Sequence, residues 1–453
     1  MEWCAGSVEV ISKELIKPSS STPHHLTNLK LSLLDQLSPP VYIPVIFFYE
    51  ADELRGLTST ADPAQVCRNL KQSLSNTLTL FYPLAGKIDP ENVAVCCDDT
   101  GVEFIEARAN TRLREVIQGS ELDRFQKYLP VELLEGIYIG EGTLLMVQIN
   151  FFECGGVAIG VCMSHLVADA SSLVEFMNAW AATCRGENPK CAPEFGVLAP
   201  HFPAQDLSDS NVSPSLLMGN DKLVTRRFVF DKEKLAALKQ AAATGEGSDN
   251  VKDPTRVEAV SAFILKYFIE NNLLDSMKSL VAAHMVNIRS RASPSLENAF
   301  GNGCLLCAAE LGHDQHSWPL PELVSKLRRA IRTINDEYIR ETEREDRYLR
   351  DLGKLCNLVS EGDADGFVFS SWCRFPTYEV EFGWGKPVWV CTTALLVNHL
   401  VILTSTRDGD GIEAWINLLP DQFQSLENQF KLIGSTRDLT QELNFSDHPF
   451  ESH

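Results

Sequence analysis

Residues Val157 to Met163 form an unbroken apolar, β-branched run that follows the Gly155-Gly156 pair, which predicts a strand buried on both faces. From Asp169 the spacing changes. Leu173, Phe176, Met177 and Trp180 fall at i, i+3, i+4 and i+7, the stripe of an amphipathic helix that should stop near Gly186. The five residues between, His165-Leu166-Val167-Ala168-Asp169, therefore sit at a strand-to-helix junction. Similar reasoning predicts a helix over Gln65–Leu80, a turn into a strand at Tyr82–Lys87, and a strand over Leu144–Asn150 paired with 157–163. Thr255 is placed to cap a helix, and Leu320 to about Leu358 carries long helical patterning thick with Arg and Glu. Leu400–Leu419 reads as a hairpin around Asp408-Gly409-Asp410-Gly411. Two polar stretches, Ala204–Asp221 and Ala241–Pro254, mark connections, the first of them an interdomain crossover.

A chain of 453 residues is long for one core and suggests two domains. Its formal charge of −21 argues against nucleic acid or an anionic membrane as partner, since both need a basic surface. The opening Met1-Glu2-Trp3-Cys4 lacks the basic and apolar regions of a secretory signal. The longest apolar run, Ala394–Thr404, is interrupted by Asn398 and His399 and is too short to span a bilayer. With thirteen cysteines, an odd number set mostly in apolar stretches, free thiols and a cytoplasmic location are expected. The sequons at Asn211 and Asn444 are then read as chance. Cys304 and Cys307 have CxxC spacing but no second pair or histidine partner, and the alternating aspartates at 408 and 410 lack the other calcium ligands. No metal is expected.

His165 at a strand tip could serve as a general base, and Asp169 could cap the helix or pair with a cation. A lone His-x-x-x-Asp is more often packing and capping, so the reading depends on what else the chain carries. Near the C-terminus stand Ser370-Ser371-Trp372-Cys373-Arg374-Phe375 and then Glu381-Phe382-Gly383-Trp384-Gly385-Lys386-Pro387. Two glycines flanking a tryptophan permit a tight bend. Together with His165 and Asp169, this string resembles the HxxxD and DFGWG pair of the BAHD acyl-CoA-dependent acyltransferases. Tyr82–Lys87 is similar to that family's YPLAG segment, and Asn287–Arg291 with Gly301-Asn302 to its NxRxR and GN segment. Within the family, other stretches look like acetyltransferases of monoterpene indole alkaloids. One departure is visible: Glu381 stands where the family has aspartate, a change that bears on local geometry more than on chemistry.

The resemblance implies an α/β fold of two chloramphenicol-acetyltransferase-like domains, each a mixed sheet with helices, with a solvent channel between them. It divides the chain into 1–200 with HxxxD, a crossover at 201–225, and 226–453 with the FGWG string. It implies direct attack of an alcohol on an acyl-CoA thioester with His165 as base, and a structural Asp169 paired with Arg289. Ser370 and Trp372 would lie near the oxyanion, while Glu381, Gly383, Trp384 and Gly385 would support the fold. Thr255 and Arg256 are candidates for coenzyme A contacts and could equally be a plain N-cap with a solvated arginine; Asn302 and Lys386 are weaker candidates that could be purely structural. The expected co-substrate is acetyl-CoA, with no permanent cofactor, and the acceptor a hydroxyl of an alkaloid, bound by a monomer. Alternatives are a malonyl or benzoyl donor, another alcohol or an amine, and a non-catalytic binder. Val161, Met163, Leu166, Val388, Trp389, Cys391, Ile416 and Phe423 are expected to give an apolar lining that favours acetyl, with Arg374 and Arg407 as nearby cations.

Overall fold

The computed structural model describes residues 6–50, 62–118, 122–131, 142–208, 210, 212, 223–243, 251–270, 278–311, 318–362, 364–393, 397 and 399–433. Most of the 204–221 crossover, the middle of 241–254 and both sequon asparagines lie outside the described residues. In chain order the first strands are β1 (Val8–Ile16), β2 (Asn28–Lys30), β3 (Tyr42–Tyr49), β4 (Lys87–Asp89) and β5 (Ala94–Cys96). They are followed by β6 (Val102–Ala109), β7 (Leu145–Phe152) and β8 (Val157–Ser164). The later strands are β9 (Val224–Phe230), β10 (Ser279–Asn287), β11 (Cys304–Glu310) and β12 (Ala364–Ser371). Last come β13 (Trp389–Cys391), β14 (Leu400–Ser405) and β15 (Ile412–Leu418). The helices of eight or more residues are α1 (Pro63–Leu80), α2 (Ala170–Cys184), α3 (Lys232–Ala242) and α4 (Arg256–Glu270), then α5 (Leu320–Thr333), α6 (Asp336–Glu345), α7 (Arg347–Ser360) and α8 (Phe423–Leu432).

These elements build a mixed α/β architecture on two six-stranded sheets, ordered β1-β6-β7-β8-β3-β13 and β11-β10-β12-β14-β15-β9. In the first, only β6 and β7 run parallel; in the second, β12 is parallel to both β10 and β14. The apolar run that predicts β8 is explained by its central place, since every residue from Val157 to Ser164 is buried. Helix α1 packs on α2, and the Trp180 indole N–H reaches Ser73 Oγ at 3.1 Å, so the two helices cover one face of the first sheet together. Helices α3, α4 and α5 pack into the second core, around Phe263, Leu327 and Phe367.

The strand β13 pairs with β3 through Trp389 against Phe48 and Cys391 against Ile46, so a C-terminal segment forms the edge of the N-terminal sheet. The single helical stretch expected over 320–358 is three helices instead. Asn335 caps the second, its side chain accepting from the Tyr338 N–H at 2.9 Å, and Asp346 turns through φ 52° before the third. The hairpin at 400–419 is present as β14 and β15, antiparallel, with the Asp408 carboxylate accepting from the Asp410 N–H at 3.0 Å. That contact makes the aspartates a turn.

Candidate active site

The end of β8 delivers His165 into a three-residue turn, and Asp169 then caps α2 by accepting from the Ser172 N–H at 2.9 Å. The backbone N–H of His165 is held by the Val41 carbonyl at 2.9 Å. Its imidazole lines a cavity of about 500 Å³ whose walls come from both halves of the chain. They include Pro39, Tyr42 and Thr392 on one side and Met285, Leu306, Ser370, Trp372 and Ile402 on the other. Burial pulls the imidazole below its ordinary pKa, opposed by its hydrogen bonds and by Asp169, so it is neutral at physiological pH.

Asp169 points away from the imidazole into a buried cage. Its two oxygens receive Arg289 Nη1 at 2.8 Å and Nη2 at 3.2 Å, and Oδ2 also takes the Gly303 N–H at 3.0 Å. The guanidinium spends its other donors on the carbonyls of Ala299 (2.8 Å) and Gly301 (2.9 Å) and on Ser172 Oγ (3.0 Å). A side chain at Gly303 would stand 2.6 Å from the guanidinium carbon, so only glycine admits the arginine here. Burial alone would raise the Asp169 carboxyl; the Arg289 charge and these hydrogen bonds hold it below its ordinary value. Six residues along α2 from Asp169, Glu175 has a buried oxygen without a hydrogen-bond partner among the described residues, and burial pushes its carboxyl up to about 7. Sequence reasoning missed it because a single glutamate on a helix carries no signal of what it faces.

Asn302 stands beside His165. Its Oδ1 lies 3.0 Å from the imidazole Nδ1, and its Nδ2 donates to the His165 carbonyl at 2.8 Å and to Asp35 at 2.8 Å. With both ends of its amide engaged, it is a partner of the histidine, and it also lines the cavity. Thr255 and Arg256 are not among the residues lining the cavity. The Thr255 hydroxyl and the Glu258 carboxylate cap each other's backbone N–H at 3.2 and 2.8 Å, and Arg256 donates to the Gly409 carbonyl at 2.6 Å. Here the plain N-cap describes what is seen. Lys386 forms an exposed ion pair with Glu379 at 2.7 Å.

Ser370 and Trp372 both line the cavity, and the Trp372 indole N–H donates to Ser370 Oγ at 3.1 Å. The serine proton is thereby free to point elsewhere. The expected apolar lining is corrected: none of Val161, Met163, Leu166, Val388, Trp389, Cys391, Ile416 and Phe423 lines the cavity. Those on β8, β13 and β15 fill the cores, because these strands are covered on both faces. Val368, Leu400 and Ile402 line it in their place, and Arg374 and Arg407 are exposed. Cys304 contributes its thiol to the Asp169 cage at 3.5 Å, and no cluster of three metal-ligating residues occurs among the described residues.

Glu381 supports the FGWG turn from within. Its Oε1 accepts the N–H groups of Gly383 and, at 2.9 Å, Gly385, both glycines having φ near 103°. Arg185 Nε lies 3.5 Å from its other oxygen. Trp384 stacks on Phe382 at 5.5 Å and meets Tyr49 edge-on at 6.1 Å, which seats the turn on the first sheet.

The site is thus a half-buried histidine on a strand-to-helix turn, facing a cavity between two mixed sheets. Residues 6–433 match the Transferase family, and the chain belongs to it, as a BAHD acyltransferase. It is 41% identical to stemmadenine O-acetyltransferase of Catharanthus roseus, over 94% of this chain and 97% of that protein. Vinorine synthase of Rauvolfia serpentina is 40% identical over 93% and 96%. The crystal structure of vinorine synthase superposes with a TM-score of 0.81, covering 94% of this chain and 98% of that one at 38% identity. The fold alone is shared with Fusarium TRI101 crystallised with coenzyme A and T-2 mycotoxin, with a TM-score of 0.67 at 17% identity over 90% and 98%. No helix among the described residues is long and apolar enough to cross a membrane.

Proposed function

We propose that this enzyme transfers an acetyl group from acetyl-CoA to a hydroxyl of a monoterpene indole alkaloid, with His165 as the general base. The observation that carries the reading is a neutral, half-buried imidazole with its Nδ1 occupied by Asn302 and its ring facing a cavity large enough for a polycyclic acceptor. An alcohol is a weak nucleophile at neutral pH, so its proton must leave as it attacks the thioester carbonyl. Nε2 of His165 accepts that proton, and a positioned base of this kind contributes roughly 10²–10⁴-fold. Ser370 donates to the oxyanion of the tetrahedral intermediate, its Oγ already fixed by Trp372. Collapse expels the CoA thiolate, which takes the proton back from His165. Asp169 takes no part in proton transfer on this reading; locked on Arg289, it fixes the backbone beneath the histidine.

The cavity walls beside Ser370 and Ile402 are apolar or uncharged, which suits a small neutral acyl group, and the lysine that lines the cavity, Lys278, is paired with Asp365 at 3.5 Å. Support for the alkaloid acceptor is the identity to the stemmadenine and vinorine enzymes. We also propose a cytoplasmic monomer with domains at 1–200 and 226–453 joined by a crossover at 201–225. Release of free thiol from acetyl-, malonyl- and benzoyl-CoA, offered with a panel of alkaloid alcohols, tests the function. Acetyl-CoA should lead by at least about tenfold in kcat/KM, a difference of about 1.4 kcal/mol in transition-state binding. His165→Ala should abolish release in a folded protein. Retention of more than a tenth of the turnover would remove His165 as the base, and a malonyl preference would overturn the donor.

A further inference from the structure

The Asn302 amide can be oriented in only one way, and the reason lies beyond it in Asp35. This carboxylate sits in a short helical turn before β3, 6% exposed, and all four of its contacts are donors. Oδ2 receives the Ser32 backbone N–H at 2.8 Å and the Ser32 hydroxyl at 2.7 Å. Oδ1 receives the Asn302 backbone N–H at 3.1 Å and the Asn302 amide Nδ2 at 2.8 Å. The same Nδ2 donates to the His165 carbonyl at 2.8 Å. A flipped amide would turn its oxygen against both a carboxylate and a carbonyl, two acceptors facing a third. Asn302 must therefore present its oxygen to His165 Nδ1, at 3.0 Å. Only a protonated Nδ1 can make that contact, which leaves the lone pair on Nε2.

We propose that Asp35, two hydrogen bonds removed from the imidazole, is the positioning residue that decides which nitrogen of the catalytic histidine carries the proton. The chain of contacts runs Asp35, Asn302, His165, and each link is set by donor–acceptor matching. Without the carboxylate, only the His165 carbonyl still opposes the flipped amide, and the NH₂ can turn toward Nδ1. The proton then moves to Nε2, and a neutral Nε2–H imidazole cannot accept the alcohol's proton. Asp35 thus acts on kcat without touching either substrate. Burial raises its carboxyl above the ordinary value against the four hydrogen bonds that pull it down, so the ionised form depends on their staying intact.

The inference rests on His165 being the general base, and its test is separable from that reading. In full-length protein labelled with ¹⁵N-histidine, the His165 signals, assigned by their loss in His165→Ala, should show a protonated Nδ1 and a bare Nε2 at neutral pH. Asp35→Asn, nearly isosteric, should shift them toward the Nε2–H form. It should lower kcat at least tenfold while the KM values for acetyl-CoA and for stemmadenine, used as probe acceptor, stay within threefold. Adding Asp35→Asn to Asn302→Ala should change kcat less than twofold, because the link is already cut. A wild-type His165 found protonated on Nε2 overturns the proposal even if Asp35→Asn does not fold. So does an Asp35→Asn protein that keeps the Nδ1–H form, whatever its turnover. A His165→Ala protein that stays active would instead refute the base itself.

Discussion

Asp169 and Arg289 are 120 positions apart, and their side chains are almost wholly buried. A buried pair of this kind adds little net stability over apolar residues, but removal of one partner strands the other charge, at a cost of about 3–5 kcal/mol. Asp169→Asn and Arg289→Ala should each lower the melting temperature and the activity. The double variant should lose less than the sum, because the second substitution removes a charge that is already unpaired. Thermal unfolding and initial rates on the four proteins check this, and strict additivity would show the pair to be uncoupled. The sequence names Asp169 and Arg289 through the family resemblance. It does not name Gly303, Ser172 or Asp35, because cage members share no spacing along the chain. For Asp35 the visible signal is Ser32-x-x-Asp35, a capping box, which says helix start and nothing about a histidine.

Between elements, the FGWG turn ties β13 to α2, and Glu381 does this with one carboxylate oxygen on two glycine N–H groups. The longer side chain in place of the family's aspartate is accommodated by Arg185, which donates to the Glu381 carbonyl and lies near its carboxylate. Glu381→Ala should therefore destabilise by about 1–3 kcal/mol, the range for leaving buried donors unmet. Glu381→Asp should alter turnover only a few-fold. Loss of turnover in Glu381→Ala at an unchanged melting temperature would reassign the position to catalysis. At this scale the hydrophobic pattern was a good guide to α1, β7, β8, α2 and the β14–β15 hairpin, whose faces are set locally. It was poor for β13: a three-residue strand has too few positions to show a period, and its pairing with β3 spans more than 340 residues.

For the molecule as a whole, two histidines set acid limits of different kinds, the half-buried His165 on activity and the buried His284 on stability. The His165 imidazole is held below its ordinary value by burial, and it is active when neutral. The acid limb of kcat/KM should therefore lie below pH 6.5, with activity retained as pH falls toward it. His284 is buried against Phe369 with its Nε2 at 3.2 Å from Ser261 Oγ, and burial lowers it to about 4. An unfolded chain takes up that proton near pH 6.5, so the His284 contribution is present above that pH. It should decline as pH drops from about 6.5 to about 4. His284→Gln should flatten the fall in melting temperature over this window, and an unchanged slope would show that His284 is not responsible.

From its own pattern the chain determines helices α1 and α2, strands β7 and β8, the β14–β15 hairpin, the strand-to-helix junction that presents His165, and through HxxxD and FGWG the family it joins. Those features depend on neighbours a few residues apart, where side-chain periodicity and cap chemistry act. What the tertiary structure decided is the company each residue keeps. Asn302 faces the histidine, and Thr255 and Arg256 close a helix end outside the cavity lining. Val161 and Met163 fill the core while Val368 and Ile402 line the cavity. Period-2 alternation tells which residues share a strand face; where both faces are covered, only the stacking of sheets and helices decides which face meets solvent or substrate.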